Sequence, residues 1–276
     1  MATTVVRTAP AVICEILKVV RKQHITPGML RVVLGGEGIL KFAGVKPGFN
    51  NKIYIPPAGE TTIVFPVYEN GAWVSPPGAV KPVVRTYTLR ALDLEKKEMY
   101  LDFVVHGDSG PASAWALKAV PGDILGVAMK AETPALYPEA DWFLLAGDQT
   151  ALPVLSVILE TLPAHVKGVA LLEVPGQAEE QPIQTKADMI ISWLHNPHPG
   201  TGTLLQDMVR NVIIPDRGTQ RRFIYAAGES AAIKAIRQYL RKEQDITSDE
   251  LDAYAYWKYG TAEELSAMER HQEAHS

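Results

Sequence analysis

The hexapeptide Arg85-Thr-Tyr-Thr-Leu-Arg90 brings two guanidinium groups, two hydroxyls and a phenol into six residues. Its alternation predicts a strand in which Arg85, Tyr87 and Leu89 share one face and Thr86, Thr88 and Arg90 the other. That composition suits a cradle for a flat aromatic ligand carrying phosphate. Tyr87 would stack, Thr88 would hydrogen-bond, and Arg85 or Arg90 would meet the phosphate. An edge strand with solvated arginines has the same composition, and the hexapeptide by itself does not separate the two.

A second constellation runs from Asp102 through His106-Gly107-Asp108-Ser109-Gly110-Pro111-Ala112-Ser113 to Ala116. It reads as strand, glycine-rich turn and helix start. Backbone N–H groups at a fresh helix N-terminus can take a pyrophosphate, Gly107 and Gly110 permit close approach, and Ser113 adds a hydroxyl that can also cap. An ordinary strand-to-helix turn has the same pattern. A third segment, Gly147-Asp148-Gln149-Thr150, follows an apolar run where a dinucleotide-binding domain would place its turn. It lacks the three-glycine fingerprint, and Asp148 sets a carboxylate beside any incoming pyrophosphate. Glu173 closes the next apolar run, about 25 residues on. A carboxylate there can accept from a ribose hydroxyl and would repel a 2′-phosphate, which favours NADH over NADPH; an exposed strand-end glutamate is equally compatible. His195 and His198 have no acidic or cysteine companion at metal-ligand spacing and read as loop residues, and His271 and His275 as solvated tail. No nucleophile elbow is present.

The elements that must position these residues change rhythm near residue 140. Up to Glu139 the chain predicts short strands at Leu30–Leu34, Asn51–Ile55, Thr61–Pro66, Val83–Ala91, Glu98–His106 and Asp123–Met129. Turns such as Pro47-Gly48 and Pro121-Gly122 separate them, and one helix interrupts at Ala112–Ala119. This is the pattern of an all-β barrel or sandwich. After Asp141 strands alternate with helices. Strands are predicted at Trp142–Ala146, Val169–Val174, Met189–Leu194 and Phe223–Ala227, and helices at Ala151–Leu162, Thr203–Val212 and Ser230–Lys242. Thr150 is the expected N-cap of the first helix, with Pro153 harmless in its first turn. Such alternation predicts a doubly wound parallel sheet.

The 276 residues suffice for one large domain or two ordinary ones, at roughly 100–200 residues each. A hydrophobic share of 47% with 21% charged residues belongs to a globular protein with a substantial core. The net charge of −4 and the lack of a basic run argue against nucleic acid. Cys14 is the one cysteine, which excludes an internal disulfide or a cysteine metal cluster and suits a reducing compartment. Glu15 and Lys18 interrupt the early apolar run, so no signal peptide is expected. Gly147, Asp148, Gln149 and Pro153 break the Trp142–Leu162 stretch, so no membrane span is expected, and a cytoplasmic protein is.

Arg-x-Tyr-Thr-x-Arg at 85–90 resembles the signature of the ferredoxin-reductase-like flavoproteins. Paired with His-Gly-x-x-Gly-Pro-Ala-Ser-x-Trp-Ala at 106–116, it resembles the FAD-binding domain of the siderophore-interacting proteins, also called ferric-siderophore reductases. Three later segments resemble the same family: Leu145–Pro153, Ala227–Arg237 and Tyr256–Gly260. The resemblance implies a β-barrel FAD-binding domain over residues 1–139, then an α/β doubly wound, NAD(P)H-binding-like domain with a C-terminal tail over 140–276. It implies that FAD is held by Arg85, Thr86, Tyr87, Thr88, Arg90, Val104, His106, Gly107, Gly110, Pro111, Ala112 and Ser113, with Thr150 reaching the flavin side. Gly147, Asp148, Glu173 and Glu229 would form the electron-donor site. Lys52 and Lys258 match basic family positions suited to an anionic ferric siderophore, and Lys130 is a third candidate in a turn that departs from the family's Gly-Pro-rich form. The implied activity is FAD-dependent reduction of ferric siderophores, releasing Fe(II) in the cytoplasm with electrons from NADH, NADPH or ferredoxin. A tail helix over the nicotinamide crevice at Thr261–Ser276 would favour the protein donor. A general flavin reductase and a redox-inactive siderophore-binding module are the alternatives.

Overall fold

The computed structural model describes residues 11–69, 71–105 and 110–261. Its contacts divide into two units at Pro134/Ala135, with Ile25–Gly28 grouped with the second. The first unit contains β1 (Val12–Thr26), β2 (Met29–Gly35), β3 (Asn50–Ile55), a small hairpin of β4 (Val67–Glu69) and β5 (Ala72–Val74), β6 (Val83–Asp93), β7 (Glu98–Val104), α1 (Pro111–Lys118) and β8 (Ile124–Lys130). Six of these strands close into a barrel in the order β1, β2, β7, β6, β3, β8, so its sheet has no open edge. Alternate residues fill the interior, among them Leu17, Val32, Ile53, Leu89, Leu101, Phe103 and Val127. Each such side chain fully buried stabilises the fold by roughly 1.5–3 kcal/mol.

Three local expectations need correction. β1 was not anticipated, because Glu15 and Lys18 look like breaks in an apolar run. In fact Leu17 and Val19 are buried and Lys18 lies exposed between them, a period-2 pattern with a charged outer face. Thr61–Pro66 is not a strand. Its apolar residues Ile63 and Phe65 pack on the outer face of the barrel beside Tyr54 and Ala128, with the Phe65 and Tyr54 rings edge to face at 4.9 Å. Strand-like alternation there reflects a loop laid over a surface, not pairing. Finally, β6 shifts register against β7 between Leu89 and Ala91, so Arg90 sits at a β-bulge. The strict two-face reading of Arg85–Arg90 therefore ends at Leu89, since a bulge re-aims the side chain it carries.

The second unit contains β9 (Trp142–Gly147), α2 (Leu152–Thr161), β10 (Lys167–Val174), β11 (Asp188–His195), α3 (Leu204–Arg210), β12 (Arg222–Glu229), α4 (Ser230–Glu243) and β13 (Leu251–Trp257). Its parallel sheet runs β11, β10, β9, β12, β13. The chain moves outward in one direction from β9 to β11, then crosses to the other side for β12 and β13. This reversal opens a crossover between the carboxyl ends of β9 and β12, the place where such sheets bind ligands. All six residues of β9 are buried, as a strand covered on both faces requires. Ile233, Ile236 and Leu240 of α4 face the core, as their spacing predicts. The strand β13 was not anticipated: Leu251–Trp257 lies at the sheet edge, half exposed, and mixes aromatic with polar residues. No helix among the described residues is long and apolar enough to cross a membrane.

Candidate functional site

In the first unit, β3, β6, β7 and α1 bring the predicted cradle residues together. Tyr87 leans on Phe103 of β7 with ring centroids 4.3 Å apart, and Phe103 lies 5.8 Å from the Trp115 ring of α1. An aromatic wall thus runs from β6 through β7 to the helix. Arg85 is largely buried and donates to the Val84 carbonyl at 2.8 Å. Thr88 is buried, while Thr86 is half-buried and accepts from Lys52 Nζ at 2.6 Å. Arg90 Nε lies 3.8 Å from Asp102 Oδ2. The same carboxylate takes a two-pronged grip from Arg31 of β2, with Nε to Oδ1 at 2.6 Å and Nη2 to Oδ2 at 2.7 Å. Two guanidiniums thus converge on one carboxylate, a cationic setting of the kind that suits a phosphate.

The start of α1 adds to that setting. Gly110 is its N-cap in extended conformation and Pro111 opens the helix without an N–H, and no side chain among the described residues caps it. Ser113 is buried one turn in and is not the cap. The first amides of a helix find no acceptor within it, so a helix start of this kind suits an anion. Val104 ends β7. His106 and Gly107 lie outside the described residues.

In the second unit, the residues expected at an electron-donor site meet at the crossover of the sheet. Asp148 is buried and fully engaged: Oδ1 accepts from Thr150 N at 2.9 Å and Thr150 Oγ1 at 2.5 Å, and Oδ2 from Glu229 N at 2.8 Å and Trp257 Nε1 at 2.7 Å. Burial pushes its pKa up, against the opposing pull of those donors. Thr150 is therefore bound to Asp148 and is not the N-cap of α2, a place taken by Ala151. Two glycines allow the knot. A Cβ on Gly228 would fall 2.5 Å from Asp148 Oδ2, and one on Gly147 2.6 Å from the Ala227 carbonyl. Glu173 accepts from Asn196 Nδ2 at 3.2 Å and from the Leu205 amide; desolvation raises its pKa. Glu229 caps α4, its Oε2 accepting from Ala231 N at 2.6 Å and Ala232 N at 3.1 Å. Asp148, Glu173 and Glu229 line one cleft of about 50 Å³, with Gly200, Thr201 and Gln206 opposite.

Of the three lysines, Lys52 and Lys130 lie in the first unit on one outer face of the barrel. Lys52 stands opposite Ala128, and Lys130 lies two residues further along β8. Lys258 is exposed in the second unit, just after β13. Sequence reasoning assigned no role to Arg31, Asp102, Asn51 or Trp257. Arg31 and Asp102 are direct partners in the β2–β7 register, and nothing in their spacing along the chain announces it. No group of three or more possible metal ligands occurs among the described residues.

A six-stranded barrel carrying this cradle, followed by a parallel sheet with a ligand crossover, defines a ferredoxin-reductase-like flavoprotein. A ferredoxin reductase of carbazole 1,9a-dioxygenase shares the fold at a TM-score of 0.61 over 89% of this chain and 69% of that one, with 12% identity. Residues 18–131 match the siderophore-interacting FAD-binding domain and residues 140–260 the siderophore-interacting protein family. The chain is 34% identical over 257 residues to the ferric vibriobactin reductase of Vibrio cholerae, covering 93% of this chain and 94% of that one. It is 29% identical over 245 residues to the NADPH-dependent ferric-chelate reductase of Escherichia coli, covering 87% and 91%. Among solved structures, a siderophore utilization protein from T. fusca superposes with a TM-score of 0.80 at 34% identity, covering 93% and 96%. The chain belongs to the siderophore-interacting protein family and is an oxidoreductase with an FAD-binding domain.

Proposed function

We propose that this protein reduces a ferric siderophore through FAD bound on the barrel, and that iron leaves as Fe(II) in the cytoplasm. The observation that carries the reading is the convergence of Arg31 and Arg90 on Asp102 in the same barrel unit that holds the Tyr87–Phe103–Trp115 ring contacts and the Gly110–Pro111 start of α1. In this reading Arg31, Arg90 and the Ala112 and Ser113 amides hold the cofactor's pyrophosphate, Tyr87 packs on its ring system, and Thr88 hydrogen-bonds its reactive edge. Bound FAD would supply stepwise electron transfer, taking two electrons from a donor and delivering one to each ferric ion.

The protein's remaining task is to bring the chelate near. Fe(III) arrives in hard oxygen donors, and as Fe(II) it is held by them less tightly. Lys52 and Lys130 on the barrel, and Lys258 on the second unit, give an anionic chelate positive charge to approach within a net negative protein. The V. cholerae relative's name supports a ferric siderophore as substrate.

The donor is a nicotinamide nucleotide or ferredoxin. The E. coli relative's name supports NADPH. Two observations weigh toward ferredoxin. Asp148 already occupies the Thr150 and Glu229 amides at the crossover, where a dinucleotide would seek backbone donors. Glu173 is committed to Asn196 and Leu205, and it carries a carboxylate unfavourable to a 2′-phosphate. Anaerobic mixing of the FAD-loaded protein with NADH, NADPH and reduced ferredoxin in parallel separates these arms by the rate at which flavin absorbance bleaches. No bleaching by any of the three would refute the electron-transfer reading.

A further inference from the structure

Asn51 is 1% exposed, yet neither its side-chain oxygen nor its nitrogen has a hydrogen-bond partner among the described residues. Burying an amide without partners costs roughly 1–3 kcal/mol. The residue lies on β3 in the same alternation as Ile53 and Ile55, which fill the barrel. Its direct cross-strand partner on β6 is Tyr87. Directly opposed side chains on one face lie within contact distance. An apolar residue would satisfy this position better than asparagine if only packing mattered.

We propose that the Asn51 amide pairs with the imide edge of the flavin, making it a cofactor-positioning residue of the barrel site. The proposal rests on the FAD reading above. The chemistry matches in both directions. An asparagine amide offers one carbonyl acceptor and two N–H donors on a single plane, and the imide edge of isoalloxazine offers an N–H flanked by two carbonyls. The carboxamide oxygen would accept from the imide N–H while its nitrogen donates to a neighbouring carbonyl. Donation to that carbonyl favours the reduced, more electron-rich ring, so Asn51 would hold the flavin and also raise its potential.

The test compares wild-type protein with Asn51→Leu and Asn51→Asp, titrated with FAD, FMN and N3-methyl-FAD. Binding is followed by flavin fluorescence, and redox potential by equilibration with indicator dyes. Asn51→Leu should bind FAD and FMN about ten-fold more weakly, the worth of one to two neutral hydrogen bonds. Its apoprotein should melt no lower than wild type, since a buried orphan has been replaced by an apolar group. N3-methyl-FAD should bind wild type more weakly than FAD does, and this discrimination should vanish in Asn51→Leu. Asn51→Asp, which loses the donor, should lower the flavin potential. FAD and FMN binding unchanged in Asn51→Leu would overturn the proposal and leave the FAD reading standing. A loss confined to FAD, with FMN unaffected, would place the amide on the adenine and also overturn it. If wild type takes up no flavin, the FAD reading fails and this inference with it.

Discussion

Arg90 is the residue on which the proposed cofactor site turns, because it sits at a bulge and beside the Asp102 carboxylate. Asp102 shares its charge between Arg31 and Arg90, so removing either arginine alters how the other is held. Arg90→Ala, Arg31→Met and Thr88→Val should each weaken FAD. The arginine changes should have the larger effect, about ten- to hundred-fold, because hydrogen bonds to charged groups contribute about 1.5–3 kcal/mol. Equilibrium titration of apoprotein with FAD checks this, and full retention of flavin in both arginine variants would remove the proposed pyrophosphate site. The strand at 85–90 and its grouping of polar side chains were legible because they fall in six consecutive residues. Arg31 was not legible: it lies more than fifty positions upstream, and only the strand register pairs it with Asp102. Asn51 was illegible for a different reason, since a lone asparagine between ordinary strand residues gives no sign that its amide will be buried.

At the scale of elements, two devices hold the strands that carry the sites. In the barrel, Arg21 of β1 donates to Glu98 of β7 at 2.5 and 2.8 Å, and the Tyr100 hydroxyl adds a third bond at 2.6 Å. The Arg21 guanidinium, and after it the Tyr100 hydroxyl, hold the Glu98 carboxyl well below its usual range, at about 2. A carboxylate whose pKa is depressed by folding contributes stability above its unfolded pKa, and loses it as pH falls through the folded value. The stability advantage of wild type over Glu98→Gln should therefore be constant above about pH 5 and shrink between pH 4.5 and 2. Denaturant titrations at several pH values test it, and an advantage independent of pH would contradict it.

In the sheet, Asp148 ties the ends of β9, β12 and β13 together through Thr150, Glu229 and Trp257. Asp148→Ala leaves two amides and an indole N–H without this acceptor. It should destabilise the second unit by at least about 2 kcal/mol, whereas Trp257→Phe, which removes one donor, should cost about 1 kcal/mol. Unfolding curves that rank the two the other way would contradict the account. Fully buried strands such as β9 announce themselves by continuous apolar runs. The strands β1 and β13 do not, because their exposed faces carry charged, polar and half-exposed aromatic residues that dilute the pattern. The Asp148 knot was half visible, as a carboxylate in place of a second glycine. Its partners on β12 and β13 required the fold.

For the whole molecule, the proposed division of labour is between a barrel that holds the cofactor and a parallel sheet whose crossover receives the electron donor. The family relationship extends across both. The protein's net charge is −4, so attraction of an anionic chelate depends on local lysines, and added salt should raise its apparent KM by screening them. Lys52→Ala combined with Lys258→Ala should raise KM for an anionic chelate more than for a neutral one. Equal changes for both would remove the electrostatic role. The central claim is that electrons held on bound FAD pass to chelated Fe(III), and the most direct measurement counts them. Protein loaded with FAD, reduced photochemically without oxygen and mixed with a ferric siderophore, should regain its oxidised flavin spectrum while a ferrous-specific dye captures two Fe(II) per flavin. A flavin that stays reduced in the presence of excess ferric siderophore, with no Fe(II) captured, would contradict it.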